Sequence, residues 1–359
     1  MTKKEFGRCI AFILVVCVIL CLLCSLFKQQ SSRYIEKRFT TYRKLNEDTV
    51  DAVWIGTSGV DRYWLAPKAY EEHGITLFTL ASDAMPTWLF TNVIEEAYAH
   101  QNPELIIVDM RAYGQSNTKA STMDVRARRV LDAMDFFSSN RIKTAFRTME
   151  VIHETFEEEP RFELSYLLPY IKYHTMWQEE GYSVANHLDN TGDAYLGFFM
   201  NASASVKRSA MEKVVHDAER YEALDPVAEN SLYDLLDYAK TNNIELLFVD
   251  TPHFKAEKEM GRSNALVKIL KEEGANYINF CETDAEGNFV NGLTLDPEAD
   301  FYNAGHVNFY GAEKFTETFA AYLDEHYDLP DRRNDAAVQE EWDGIYAKMK
   351  KRIAGWEEK

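Results

Sequence analysis

The sequence predicts a three-layer α/β domain with a parallel five-stranded sheet, a large helical insertion and an N-terminal helix able to cross a membrane. Three observations carry this expectation. Five short apolar runs rich in β-formers alternate with helical patterns, and each run is continuously apolar rather than alternating in polarity. In addition, the nineteen residues 9–27 (CIAFILVVCVILCLLCSLF) carry no charge. Strands that alternate with helices imply right-handed crossovers, and strands apolar on both faces imply a sheet covered on both sides.

The strands are expected at residues 51–55 (DAVWI), 75–80 (ITLFTL), 104–110 (ELIIVDM), 244–250 (IELLFVD) and 276–280 (NYINF). Helices are expected at 86–100, at 256–273, where Gly274 supplies a C-terminal cap, and at 310–326. More than 130 residues separate the third and fourth strands, far beyond one crossover. That stretch reads as helical over 123–137, 142–157, 162–179 and 205–240, with a break near Pro226 and an acidic turn, EEEP, at 157–160. The tail, 331–359, places Trp342, Ile345, Tyr346, Met349 and Ile353 at helical spacing, as a helix packed on the body would.

A bilayer-crossing helix needs roughly 20 apolar residues, so residues 9–27 are just long enough. The alternative is a cleaved signal peptide, whose apolar part runs roughly 7 to 15 residues and ends in small side chains. Here Leu22, Leu23 and Phe27 are bulky and no A-x-A-like site follows, which favours an uncleaved anchor. Flanking charge alone gives the opposite sense to an external body. Lys3, Lys4 and Arg8 precede the run, whereas Lys28, Arg33, Lys37, Arg38, Arg43 and Lys44 follow it.

Composition narrows the function. Hydrophobic residues make up 46% of the 359 and charged residues 27%, which excludes a disordered chain, a collagen-like fibre and a multi-span membrane protein. The net charge of −19, from 58 acidic against 39 basic residues, argues against nucleic acid as a partner, since phosphate binding needs a basic face. Four of five cysteines (Cys9, Cys17, Cys21 and Cys24) lie in the apolar run, leaving Cys281 alone in the body. That pattern spells neither a zinc site nor a disulfide framework, and no metal or organic cofactor is implied.

In open parallel sheets, ligands bind beyond the carboxyl ends of the strands. Three segments lie there. Gly56-Thr57-Ser58-Gly59 follows the first strand, and its glycines permit a tight turn. Such a turn either lifts the Ser58 hydroxyl out of the sheet or uses it to cap the next helix. Asp300-Phe301-Tyr302-Asn303-Ala304-Gly305-His306 places a histidine on a polar loop, where it is either inert or able to take a proton. Thr251-Pro252-His253-Phe254 follows the fourth strand, with Asn264 further on in its helix.

From GTSGVDRYWLAP, through VDTPHF, ILKEEGANYINF and the insertion's YIKYHTMWQEEGY, to DFYNAGHVNFYGAEKF, the chain resembles the SGNH/GDSL hydrolase superfamily over most of residues 48–326. More closely, it looks like the branch containing the membrane-anchored teichoic-acid D-alanylation and polysaccharide O-acetylation proteins. The resemblance implies a flavodoxin-like SGNH hydrolase fold, an extracytoplasmic body on the cell membrane, and a membrane-bound O-acyltransferase as partner. On this basis residues 1–8 are a cytoplasmic tail, 9–27 the anchor and 28–47 a juxtamembrane segment. Residues 48–330 are the hydrolase-like domain, with its insertion at about 115–240, and 331–359 the amphipathic C-terminal helix.

Carried over by position, Ser58 falls on the nucleophile and His306 on the general base. Asn264 matches an oxyanion donor, the backbone N–H of Ser58 is expected as a second donor and Gly59 as a further oxyanion or substrate-binding residue, and His174 and Trp177 match the insertion motif. Two positions depart from the family. Asn303 stands where the triad acid is expected, and an amide can favour the wrong tautomer of the ring; Asp300 is a substitute if the loop bends inward. Asp83 stands where relatives carry an oxyanion-hole glycine; it still offers an N–H to an oxyanion, but its carboxylate would oppose a developing negative charge. The expected function is therefore a serine esterase or O-acyltransferase acting on acyl esters of a cell-surface polysaccharide. The alternative is a catalytically weakened relative that binds glycan or the acyltransferase. Tyr63, Trp64, Phe301 and Tyr302 are candidates for sugar stacking in either case, with core packing expected for at least two of them.

Overall fold

The computed structural model describes residues 1–29, 33–157, 159–179, 182–185, 192–211 and 215–359. Glu158 of the acidic turn, Glu180 and Gly181 of the insertion motif, and residues 212–214 of the helix expected over 205–240 lie outside the described residues.

Strands β1 (Ala52–Gly56), β2 (Leu77–Ala81), β3 (Leu105–Asp109), β4 (Glu245–Asp250) and β5 (Asn276–Asn279) form one parallel sheet in the order β2-β1-β3-β4-β5. This is the flavodoxin-like order of doubly wound α/β domains, with its switch point between β1 and β3. Every residue of β1, β2 and β3 is buried, which explains their unbroken apolar sequences. Trp54 of β1 faces Trp64, Phe315 and Phe319, so the helices Ala66–His73 and Phe309–His326 cover that side. Phe78 of β2 faces the other side, where its ring meets Tyr42 at 5.2 Å.

Tyr42 lies on a helix, Arg33–Lys44, that the sequence reading assigns to a juxtamembrane segment. The structure corrects this: Ile35, Phe39 and Tyr42 are fully buried, and the Tyr42 hydroxyl donates to the Ala97 carbonyl at 3.1 Å. The domain therefore includes this helix. In the insertion, Ala120–Leu131, Ser139–Thr155 and Pro226–Asn242 are helical. The helix expected over 162–179 is instead three short turns, Leu164–Tyr166, Tyr170–Tyr173 and Met176–Gln178, broken where Pro169 has no N–H to give. The helix expected over 205–240 is also corrected. Residues 207–211 run non-helical, and Ser209 and Met211 donate their N–H groups to the Phe301 and Pro297 carbonyls at 2.8 and 2.7 Å. Backbone donors committed to another segment cannot close helical turns. Pro226 opens the later helix from an Asp225 cap rather than breaking it.

The tail forms two helices, Ala336–Trp342 and Ile345–Glu357, which bury Trp342, Tyr346, Met349 and Ile353 against the body. At the other end, Lys3–Leu26 is a 24-residue helix opened by a Thr2–Glu5 capping box, long and apolar enough to cross a membrane. It is exposed along nearly all its length, but Cys24 is buried and Phe27 packs on Tyr170 and Tyr182 at 5.5 and 6.0 Å.

Candidate active site

The turn after β1 is built around a buried carboxylate. Asp109, at the end of β3, accepts from the Thr57 N–H at 2.8 Å and from the Thr57 hydroxyl. Gly56 sits at φ 153°, and a Cβ there would lie 2.1 Å from that of Asp109, so only glycine fits. Thr57 then caps the short helix Ser58–Asp61 by accepting from the Gly59 N–H at 3.2 Å. Because Thr57 is the cap, the Ser58 hydroxyl is released from that role.

Ser58 Oγ lies 2.8 Å from His306 Nε2, across 248 residues of sequence. His306 opens strand β7 (His306–Val307), paired antiparallel with β6 (Phe301–Asn303), and the register sets Asn303 opposite His306. The ring Nδ1 lies 3.0 Å from Asn303 Oδ1. The same oxygen accepts from the Gly305 N–H at 2.8 Å. A backbone N–H is only a donor, so it fixes the amide with oxygen toward the ring. The ring nitrogen facing it must then be Nδ1–H, which leaves the Nε2 lone pair for the serine proton. The wrong tautomer expected from the amide is thereby avoided.

The hairpin tip is held in place from three sides. The Phe254 N–H donates to the Ala304 carbonyl at 2.8 Å, and the Tyr63 hydroxyl lies against the Pro252 and Gly305 carbonyls. Arg111, just beyond β3, donates from Nη1 to the Gly305 carbonyl at 2.6 Å. Its side chain crosses Gly59, where a Cβ would stand 3.0 Å from Arg111 Cδ. The guanidinium thus bridges the segments carrying Ser58 and His306. Sequence reasoning considers the ends of the first and fourth strands but not the third, although the topology places β3 beside β1.

Tyr302 stacks on His306 with centroids 5.4 Å apart and planes 10° from parallel. Its hydroxyl accepts from Arg62 Nε at 2.8 Å. Arg62 also meets Asp61 at 2.7 Å and Asp83 at 3.3 Å, and lies 4.1 Å over the Phe199 ring. Asp61 is shared with Arg38 at 2.9 Å. The Asp83 carboxylate is thus drawn to a cation rather than left to oppose charge at Ser58. Tyr63, Trp64 and Phe301 are fully buried and serve the core; Tyr302 alone of the four stays partly exposed.

No carboxylate faces His306 among the described contacts, and the ring is held far below its usual range, to about 2. Burial is the main cause, followed by the positive charges of Arg111, Arg62 and His253. His306 is therefore neutral at physiological pH. It can take a proton, but its cation is poorly stabilised.

Two expected site residues lie elsewhere. Asn264 donates to the Asp217 and Arg220 carbonyls, each at 2.8 Å, and secures the insertion instead of facing Ser58. Asp300 is buried, accepts from the Asp296 N–H at 2.7 Å and pairs with Lys314 at 2.6 Å, so it staples its own loop and does not reach the ring. The Gly59 N–H is taken by Thr57, whereas the Ser58 N–H, at the first helical position, has no intrahelical acceptor.

Asp250, His253 and Cys281 gather ligand-type atoms within 4.8 Å of one another. Their bonds are internal: Lys255 and Ser263 hold Asp250, and His253 reaches the Thr251 carbonyl at 2.7 Å and Glu259 at 3.0 Å. With an acceptor at each nitrogen, His253 carries both protons; burial and the Arg111 charge oppose this, yet its pKa stands near 9, raised by the Cys281 sulfur at 3.4 Å and by Glu259. This buried cation underlies the hairpin and adds to the positive surroundings of His306.

No protein-family model matches the chain, and no curated protein matches its sequence. Among solved structures, one likeness is to a protein assigned to the lipolytic G-D-S-L family from Desulfitobacterium hafniense. It has 12% identity and a TM-score of 0.36, covering 76% of this chain and 98% of that one. A family two carbohydrate esterase from Clostridium thermocellum, in complex with cellohexaose, gives 6% identity and 0.30, covering 78% and 65%. An acetyl xylan esterase from Butyrivibrio proteoclasticus gives 8% and 0.30, covering 77% and 64%. Overlaps this loose bear on neither activity nor substrate, which rest on the site itself.

Proposed function

We propose that the chain is a membrane-anchored SGNH-type serine esterase or O-acyltransferase acting on acyl esters of a cell-surface glycan, with its body on the extracytoplasmic side. The observation that carries this reading is the hydrogen-bonded series Ser58–His306–Asn303, with the amide oriented by Gly305. Ser58 Oγ attacks the acyl carbonyl while its proton passes to His306 Nε2. The Ser58 N–H meets the oxyanion. The proton then goes to the departing sugar oxygen, leaving an acyl-serine. Water or a second sugar hydroxyl attacks that ester and gives its proton to Nε2, which passes it to the departing Ser58 Oγ and so restores both serine and base. No step calls on a metal or organic cofactor. The motif resemblance supports the anchored glycan-modifying setting and a membrane-bound acyltransferase as donor, and the partly exposed Tyr302 supplies an aromatic edge beside the serine.

The test is release of p-nitrophenol from p-nitrophenyl acetate by the full chain in detergent. Ser58→Ala and His306→Ala are each expected to lower turnover at least roughly 10³-fold, as triad members do. Retained turnover in either would remove the mechanism. A second reading, binding of an acylated glycan without turnover, is favoured by one observation: cations rather than a carboxylate surround His306. Saturable glycan binding by a chain with no serine-dependent hydrolysis would select it.

A further inference from the structure

The insertion carries a set of large apolar side chains that the enzyme reading leaves unused. Phe137, Ile142, Phe146, Phe162, Ile171 and Trp177 are between 43% and 76% exposed. Single exposed apolar residues are ordinary, whereas a contiguous exposed apolar patch marks a surface that meets something apolar. Phe146 and Phe162 touch at 6.4 Å, and Ile142 precedes Phe146 by one helical turn.

This surface adjoins the exit of the anchor helix. Phe27 packs on Tyr170, the neighbour of Ile171, and the Gln29 N–H reaches Asp132 at 3.3 Å. Arg141, next to Ile142, lies 4.8 Å over Phe136, which in turn meets Phe137 at 5.3 Å. The level of contact is also informative. The 24 residues of Lys3–Leu26 span about 36 Å, more than the roughly 30 Å of a hydrocarbon core, and the body already covers Cys24. The body therefore begins where the helix leaves the hydrocarbon. Aromatic and aliphatic side chains at that level are suited to the headgroup boundary.

We propose that this face of the insertion lies in the interfacial layer of the same bilayer that the anchor crosses. It fixes the tilt of the body, and so the height of Ser58 above the membrane. The proposal rests on the anchored reading given above, and the experiment separates the two. Full-length chain is reconstituted into phosphatidylcholine vesicles with and without acyl-chain-brominated lipid, and tryptophan emission is compared. Trp177 is the reporter: Trp54, Trp64, Trp88 and Trp342 are buried, and Trp356, on the tail helix, remains in the control variant. The expected result is quenching that falls at least twofold in Trp177→Phe, and that also falls when Phe137, Phe146 and Phe162 are all changed to Asp. Flotation with the vesicles is read in parallel. A chain that floats while its Trp177 emission is unquenched overturns this proposal alone. A chain that neither floats nor resists carbonate extraction overturns the anchored reading and this proposal with it.

Discussion

Asn303 shows how one residue can be read wrongly in sequence and correctly in space. As an amide it threatens the ring's tautomer, yet the Gly305 N–H turns its oxygen toward Nδ1 and restores the required geometry. What it cannot supply is charge. Asn303→Asp is expected to raise His306 toward its ordinary pKa and to increase kcat on p-nitrophenyl acetate roughly tenfold or more. The expectation takes its sign from the serine-protease triad, where the reverse change costs about 10⁴. Activity lost on this change would mean the neutral amide is required, as when the new carboxylate turns away from the ring to pair with Arg111. Arg111→Gln tests the opposing charge. A general base works only when deprotonated, so activity is lost as pH falls through its folded pKa, which here lies far below the usual 6.5. Removing the guanidinium is expected to move the acid limb of the kcat/KM profile to higher pH, while glutamine still offers a donor to the Gly305 carbonyl. An unmoved limb would show that the Arg111 charge does not reach the ring.

The helix Arg33–Lys44 carries the strongest prediction at the level of an element. A chain starting at residue 45 loses Ile35, Phe39 and Tyr42 from the core and strips Arg38 from the buried Asp61. Arg62 still pairs with Asp61, so the loss is chiefly apolar, each buried apolar side chain contributing about 1.5–3 kcal/mol. Residues 28–359 are expected to melt cooperatively, and residues 45–359 at least roughly 10 °C lower or not at all; equal melting would refute the helix's place in the core. The same helix bears on orientation. Arg38 and Arg43, which weigh against an external body when basic flanks are counted, are held internally by Asp61 and by Glu96 and the Ala133 carbonyl. Their presence is thus explained by the fold. The five strands and the helices after β4 were legible because their apolar runs are local and continuous. This helix was not, since five of its twelve residues are Lys or Arg and its burial depends on partners some 20 to 60 residues away. In the insertion, helical periodicity misled where Ser209 and Met211 donate to a distant segment. Ser58 and His306 could be picked out by strand ends and motif. Arg111 could not, because its importance comes from β3 lying beside β1.

Across the whole molecule, the site is a place where stability is given up. An acidic chain of net charge −19 gathers Arg62, Arg111 and a doubly protonated His253 around one histidine. The linkage has a definite sign. Unfolded His306 titrates near 6.5, whereas folded His306 stays neutral to about 2. Between these values the unfolded state binds the extra proton, so this residue lowers folding stability progressively as pH falls below about 6.5. His253 acts in the opposite sense. With its folded pKa raised to about 9, its contribution is complete below about 6.5 and is lost as pH rises through 9. The contributions of these two residues alone are jointly greatest near neutrality. They also predict that His306→Gln, which keeps a polar group but cannot charge, raises Tm relative to wild type by little at pH 8 and by several degrees at pH 5. Thermal unfolding of the full chain in detergent at both values checks this. A Tm difference independent of pH would mean that the fold does not disfavour the charged ring. The cost that folding bears is also met in catalysis, because the same cations oppose the imidazolium formed when Ser58 gives up its proton. The proton must therefore pass quickly on to the leaving sugar oxygen, so poor leaving groups are expected to be slowed more by His306 substitutions than p-nitrophenol is.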